Sequence, residues 1–467
     1  MQLKKLLTLL IFGGIKVKKI YFIGINGIGM SGLAKIMKCK GYDVEGSDLS
    51  RSYVTDELES MGIVVHGEHS EKNLEGKNFD MIIASSAIKK ENPEYIYALE
   101  NGIKVVKRGE LLAMLLNEEC GIAVAGTHGK TTTSSMAASV MLPLDPTIVV
   151  GGILPEIGSN AKPGKSNYFI AEADESDNSF LYMNPTYSVI TNIEADHLEN
   201  HGSLENIIKS FSKFIDQTSK EVFICSDCEI LRGLAATKEN KKITRYSIKD
   251  KTADIYAENI VIEAGKTSYD VVIKGEKIGR FTLYIPGEHN ILNSLPVIYL
   301  ALEFGLEEKD IERAFEKFRG SKRRYDILYS GNGIRVIDDY AHHPTEIKAT
   351  LQGARSIEDN KITVIFQPHR YSRVKFLLEN FKDAFEKADE VVLLPIYSAG
   401  EKDIFGVTIE DLQKVITNPE AVIEKNPQNI DDMIMNFEGN RVFMFMGAGD
   451  ISKIAHRVAE KLEGKYR

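Results

Sequence analysis

The chain has 467 residues, 43% hydrophobic and 27% charged, an ordinary globular composition with length for about three domains. Lys and Arg number 58 against 67 Asp and Glu, and the net charge of −9 excludes a polybasic nucleic-acid surface. Four cysteines exclude a disulfide framework and fit a reducing, cytoplasmic compartment, and the lone C-x-x-C of Cys225 and Cys228 lacks the second pair a zinc site needs.

In chain order, Met1 to Val17 holds an apolar run, Leu6 to Ile11, that is too short to span a bilayer and has no small-residue cleavage site after it. The natural start is therefore expected at Val17. A buried strand is predicted over Ile20–Ile23, followed by a Gly-rich turn and a helix to about Lys40. Gly27, Gly29 and Gly32, with Met30 and Ser31 between them, fit G-x-G-x-x-G, and Asp48 ends the next strand where a ribose-binding carboxylate belongs. Alone, this reads as a nicotinamide-dinucleotide site or a cradle for another phosphate ligand. Asn26 occupies a turn position that tolerates it only at negative φ. Apolar strands at 63–65, 81–84 and 104–106, with a helix over 109–117, predict a parallel sheet whose ligand sits at the carboxyl ends of its strands, where Ser85, Ser86 and Arg108 stand.

A second unit opens with Ile122-Ala123-Val124 entering the loop Gly126-Thr127-His128-Gly129-Lys130-Thr131-Thr132, which leads into a helix of small residues. Strand, tight Gly loop and helix make a phosphate cradle: amides face the phosphate oxygens, Lys130 neutralises them, and the Thr131 hydroxyl can hold Mg²⁺. The first Gly of the longer G-x-x-x-x-G-K-[ST] pattern falls at Val124 and is missing. Two further strands run straight into acidic turns, Glu172-Ala173-Asp174-Glu175-Ser176-Asp177 and Glu194-Ala195-Asp196-His197. A solvated charge run has no reason to abut a buried strand twice, whereas a divalent metal beside a phosphate loop needs such oxygen ligands. Alternation from Ala253 to Ile285 predicts a small antiparallel sheet, followed by His289, Asn290 and Asn293 at the head of a helix. A third α/β unit carries its polar residues at strand exits, in Asp338-Asp339-Tyr340-Ala341-His342-His343-Pro344 and His369-Arg370-Tyr371-Ser372-Arg373.

These segments, with Arg323-Arg324, recur in the same order in the Mur ligases, and from about Lys18 to its C-terminus the chain resembles that family. The resemblance implies an α/β protein of three domains: a Rossmann-like UDP-sugar domain (18–107), a P-loop ATPase domain with a parallel sheet plus a small antiparallel sheet (108–320), and a Rossmann-like amino-acid domain (321–467). It implies ATP and Mg²⁺, UDP-N-acetylmuramate as acyl donor and L-alanine as amine, in a monomer or weak dimer. A peptide-recycling ligase is the alternative. The N-terminal Gly loop, with Asp48, Ser85, Ser86 and Arg108, then serves the UDP moiety. Lys130, Glu172, His197 and Arg324 are the implied catalytic set. Thr131, Glu172 (or else Asp174 or Glu175) and His197 hold metal; His289, Asn290, Asn293 and Asp339 hold the nucleotide; His343, Arg370 and Arg373 hold the amino acid.

Overall fold

The computed structural model describes residues 11–12, 15–263 and 265–466. Most of the segment expected to precede the natural start thus lies outside the described residues; its last part forms a two-strand ladder, β1 (Ile11–Phe12) with β2 (Ile15–Lys16).

The first sheet is all parallel. It comprises β3 (Lys19–Ile23), β4 (Asp43–Ser47), β5 (Val64–His66), β6 (Met81–Ala84) and β7 (Lys104–Lys107), in the order β5-β4-β3-β6-β7. The order reverses between β3 and β6, which places the ligand crevice at their carboxyl ends. Of the Gly-rich turn, only Gly24 has a positive φ, +79°, while Asn26 stays out of the left-handed region as required. Gly29 and Gly32 are needed for space instead. A Cβ on Gly32 would lie 2.6 Å from the Ala161 Cβ, in the next domain.

That next domain has a sheet of ten strands. Its parallel part comprises β8 (Cys120–Ala125), β9 (Thr147–Leu154), β11 (Tyr168–Glu172), β12 (Tyr187–Ile190), β13 (Glu221–Cys225) and β14 (Ile243–Ser247). β10 (Ser159–Lys162) adds antiparallel to β9, and β15 (Ile255–Glu263), β16 (Lys266–Ile273) and β17 (Glu276–Leu283) extend the other edge. The expected small antiparallel sheet is therefore not separate. β15 pairs parallel with β14 through Tyr246 and Ser247 and continues one sheet. Alternation identified the strands but says nothing about which edge they join. The central strands are buried on both faces, as Ile122 to Ala125 and Phe169 to Ala171 show, because helices cover both sides.

One hydrophobic core with members from Val17 to Phe318 runs across these two sheets, a smaller one around Tyr21, Phe79 and Ile82 lying apart, and the helix Ile28–Cys39 packs directly on β10. Gly32→Ala is therefore expected to cost about 1–3 kcal/mol through overpacking, with calorimetry showing the first two domains melting together at a lower temperature.

The third sheet comprises β18 (Asp326–Gly331), β19 (Ile334–Asp339), β20 (Lys361–Phe366), β21 (Glu390–Leu393), β22 (Ala421–Ile423) and β23 (Arg441–Met446), in the order β18-β19-β23-β20-β21-β22. It is parallel except for the β18–β19 hairpin and has its own cores on its two faces. Among the described residues, no helix is long and apolar enough to cross a membrane.

Candidate active site

β8 delivers the chain into the phosphate loop between its parallel neighbours β11 and β12. The two loop glycines have no substitute. Gly126 has φ +136° and a Cβ there would fall 2.0 Å from Thr191 Oγ1; Gly129 has φ +84° and abuts Asn293 Oδ1. The helix Lys130–Val140 follows at once, so its N-terminal amides point at the loop. Its small residues let it pack closely, with Ser134, Ser135, Ala137 and Ala138 buried against the sheet and the helix Glu288–Glu303. The loop is tied to the exit of β12: Thr127 N donates to Asn192 O (3.0 Å), His128 N to Asn192 Oδ1 (2.9 Å) and Glu194 N to Thr127 Oγ1 (2.8 Å).

Lys130 Nζ donates to Gly126 O (2.6 Å), Thr127 O (3.1 Å) and Glu175 Oε1 (2.9 Å). Burial works against this ammonium, but Glu175, Asp174 and Glu172 outweigh it and hold its pKa above the ordinary value. Thr131 Oγ1 donates to Glu172 Oε1 (3.1 Å), and Glu172 Oε2 accepts from Gly151 N (2.8 Å). A hydroxyl and a carboxylate in contact beside a phosphate loop are the hard oxygen donors that Mg²⁺ takes. Of the two other acidic side chains, Glu175 gives Oε1 to Lys130 and Asp174 accepts from Ser176 N (2.9 Å). Glu172 alone touches Thr131.

Two adjoining cavities meet at His128, Gly129, Arg324 and Glu346. The smaller, about 180 Å³, is lined by His289, Asn290, Asn293, Thr132 and Asp339, so the sequence-predicted nucleotide residues do converge. Asn290 Nδ2 donates to Pro286 O (2.6 Å) and Asn293 Nδ2 to Asn290 Oδ1 (3.1 Å), fixing both amides at the helix start. Asp339, at the end of β19, accepts from Tyr325 N (2.7 Å) and Ala341 N (2.8 Å); burial pushes its carboxyl up to about 6 against the pull of Arg324.

The larger cavity, about 500 Å³, takes walls from all three domains: Ile28 from the first, Lys130, Thr131, Glu172 and His197 from the second, and His342, His369, Arg370 and Arg373 from the third. Arg373 is 5% exposed and grips Asp196 through Nε and Nη2 at 3.2–3.3 Å. Although buried, Asp196 is held far below the usual carboxylate range by Arg373 and the imidazoles around it. Arg370 reaches Glu199 (3.3 Å) and Glu401 (3.7 Å). His197, at φ +51°, sits between Asp196 and Glu199 at 3.6 Å from each.

Some predicted residues lie elsewhere than expected. His343 does not face Arg370 and Arg373. It caps the helix Pro344–Arg355, accepting from Thr345 N (3.3 Å), and its ring lies 4.5 Å from His128. His342 takes the expected place, 5.8 Å from the His369 ring. Adjacent residues on a loop point opposite ways, and sequence alone does not say which way. In the first domain Met30 is core, Ser31 donates to Ile28 O, and both amides are bonded to Gly27 O. Asp48 braces the turn, accepting from Asn26 N (3.0 Å) and Ser50 N (3.1 Å). Ser85 meets Gly24 at the sheet's carboxyl edge with Ser86 beside it, and the Arg108 side chain lies over Gly29.

Sequence reading missed Glu346. Its signal was the helix start Pro344 with a Glu two positions later, a capping arrangement that does not reveal a place in a cavity. His128, Glu194 and His343 have the spacing of a metal site. His343 Nδ1 accepts a backbone hydrogen bond, however, so the neutral ring carries its proton on Nε2. That nitrogen and His128 Nε2 are both buried without a hydrogen-bond partner among the described residues.

Three family models match consecutive stretches: "Mur ligase family, catalytic domain" over residues 19–119, "Mur ligase middle domain" over 124–301, and "Mur ligase, glutamate ligase domain" over 323–449. The UDP-N-acetylmuramate–L-alanine ligase of Fusobacterium nucleatum is 61% identical over 97% of this chain and 99% of its own length. That of Geotalea daltonii is 42% identical over 96% and 98%. The solved UDP-N-acetylmuramate–alanine ligase of Thermotoga maritima, 33% identical, superposes with a TM-score of 0.78 over 96% of this chain and 99% of that one. A murein peptide ligase from Psychrobacter arcticus, 24% identical with a TM-score of 0.69, shares the fold. The chain belongs to the Mur ligase family.

Proposed function

We infer that this protein joins L-alanine to the carboxylate of UDP-N-acetylmuramate, giving UDP-N-acetylmuramoyl-L-alanine while ATP becomes ADP and phosphate. The observation that carries this is a single cavity with a phosphate loop and metal-type oxygens on one wall and paired guanidinium groups on the other, in a chain 61% identical end to end to a ligase of that name. The first domain (18–107) is assigned to the UDP-sugar, the second (108–320) to ATP and the third (321–467) to the amino acid.

The chemical difficulty is that a carboxylate is a poor electrophile and approaches a polyanion against repulsion. Attack of the sugar carboxylate on the γ-phosphorus gives an acyl phosphate and ADP; the amine then attacks the carbonyl and phosphate leaves. Lys130 and the loop amides neutralise the triphosphate, and Arg324, which lines both cavities, adds a further guanidinium. Mg²⁺, when bound by Thr131 and Glu172, with His197 serving a second ion, would screen the same charge. His289, Asn290, Asn293 and Asp339 are assigned to the nucleoside. Arg370 and Arg373 offer forked donors to the alanine carboxylate, with His342 replacing His343 beside them. All four cysteines are free thiols, which supports a reducing, cytoplasmic setting, and the assembly proposed is a monomer or weak dimer.

The deciding measurement is ADP formation with UDP-N-acetylmuramate present. It is expected to depend on free L-alanine and to fall to background with the stem tripeptide alone. Turnover with the tripeptide and not with alanine would instead establish the recycling reaction.

A further inference from the structure

One side chain of the phosphate loop has partners that nucleotide binding does not require. His128 belongs to the second domain, yet its ring lies between a carboxylate of its own domain and one of the third. Its Nε2 is 3.5 Å from Glu194 Oε2, and its Nδ1 is 3.3 Å from Glu346 Oε1. The exchange is reciprocal, because the third domain's Thr345 donates its hydroxyl back to Glu194 Oε2 at 2.7 Å. Each domain thus gives one donor and one carboxylate to the other across the same seam. Glu346 also lies 3.8 Å from Arg324 Nη1 and 3.3 Å from His342 Nδ1, so the seam touches both the nucleotide side and the amino-acid side of the site. A histidine that merely packed would not need a carboxylate at each ring nitrogen, and a helix cap such as Glu346 would not need a partner in another domain.

We propose that His128 is a positioning residue that latches the phosphate loop to the third domain, so that Lys130, two residues away, is set for phosphoryl transfer only while the amino-acid domain is docked. The latch rests on the ligase reading and adds to it: ATP cleavage is coupled to the presence of the domain that brings the amine. The backbone of His128 serves the loop, tied to Asn192 on its amide and accepting from Thr191 Oγ1 (2.5 Å) and Asn192 Nδ2 (3.0 Å), while the ring serves the seam. Substitution of the ring therefore leaves the loop's own fastening in place.

The charges agree with this geometry. Glu194 and Glu346, more than offsetting burial, raise His128 to about 9, while burial and the His128 charge next to it lower His343 to about 4. The groups facing His128 are Glu194 from its own domain and Glu346 and His343 from the third; Arg324, ahead of β18, faces Glu346. Because the docked value lies above the ordinary 6.5, the imidazolium's contribution to docking is complete below about pH 6.5 and is lost as pH rises through about 9.

The test uses the full-length protein with His128→Asn, Glu346→Gln, their double variant and Thr345→Val. Each single change is expected to lower kcat about tenfold while the KM for ATP moves by less than about threefold. The double variant is expected to be no more than about twofold worse than the worse single, since both remove one contact. Thr345→Val, which leaves the loop untouched, should reproduce the kcat-selective loss. Losses that multiply, or that fall on the KM for ATP, overturn the latch. Small-angle scattering supplies a readout that does not depend on ligation. The wild-type radius of gyration should grow between pH 6.5 and 9.5, and that of His128→Asn should start larger and stay constant. Identical pH responses overturn the proposal even if the wild type ligates, whereas a wild type that compacts as expected but makes no amide refutes only the ligase reading.

Discussion

Lys130→Ala is expected to lower ligation by about 10²–10³-fold or more while the affinity for UDP-N-acetylmuramate, measured by calorimetric titration, stays within about twofold. The ammonium is placed where charge develops, and the UDP-sugar is assigned to a different sheet edge, so the two readouts should separate. The variant is also expected to fold. Glu175 is 3% exposed and loses its cation, but burial already pushes its carboxyl up, which favours the neutral form over an unpaired buried charge. This gives the variant a signature in its stability. A carboxyl whose folded pKa exceeds its unfolded one favours the fold while protonated, and that advantage shrinks as pH rises from the unfolded value through the folded one. Relative to wild type, Lys130→Ala should therefore lose melting temperature as pH rises above the ordinary carboxyl range. Ligation near the wild-type rate would remove the loop from the chemistry.

The parts of this molecule legible in the sequence are those where local chemistry and position coincide. The phosphate loop was readable because a β-branched strand, two glycines and Lys130-Thr131 are contiguous, and the structure places the glycines where side chains collide. Glu172 and His197 stood out because one ends a buried strand and the other follows one, and parallel strands deliver their exits to one edge. What stayed hidden depends on contacts between distant segments. Gly32 fitted a nucleotide fingerprint, yet its hydrogen faces Ala161 of another domain. Met30 and Ser31 lie in that fingerprint too, but the helical period turns one into the core and closes both amides onto Gly27. His342 and His343 are neighbours with opposite destinations, and only the path of the chain between β19 and the following helix decides which faces Arg373. Glu346 needed both a helix cap and a docked domain to become a site residue.

Arg373→Ala is expected to damage stability and alanine binding together, and the two losses can be told apart. In wild type the guanidinium satisfies Asp196, whose side chain is 10% exposed, while Nη1 lies 3.2 Å from His369 Nδ1. Removing one partner of a buried pair costs up to about 3–5 kcal/mol, mostly for the charge left behind. Asp196 keeps the His197 amide, 2.8 Å from Oδ1, so the cost should fall toward the lower end. The KM for L-alanine should rise about 100-fold, the loss expected when a forked donor to a carboxylate is taken from a site shielded from water. Adding Asp196→Asn separates the effects. It removes the orphaned charge, so the Arg373→Ala, Asp196→Asn double variant should regain most of the melting temperature by calorimetry. Nothing in that second change supplies a cation for the substrate, so the KM for L-alanine should stay high. A double variant that regains both would mean that Arg373 only holds Asp196 and the domain seam, and the alanine carboxylate would then fall to Arg370, whose present partners Glu199 and Glu401 leave it 34% exposed to the cavity.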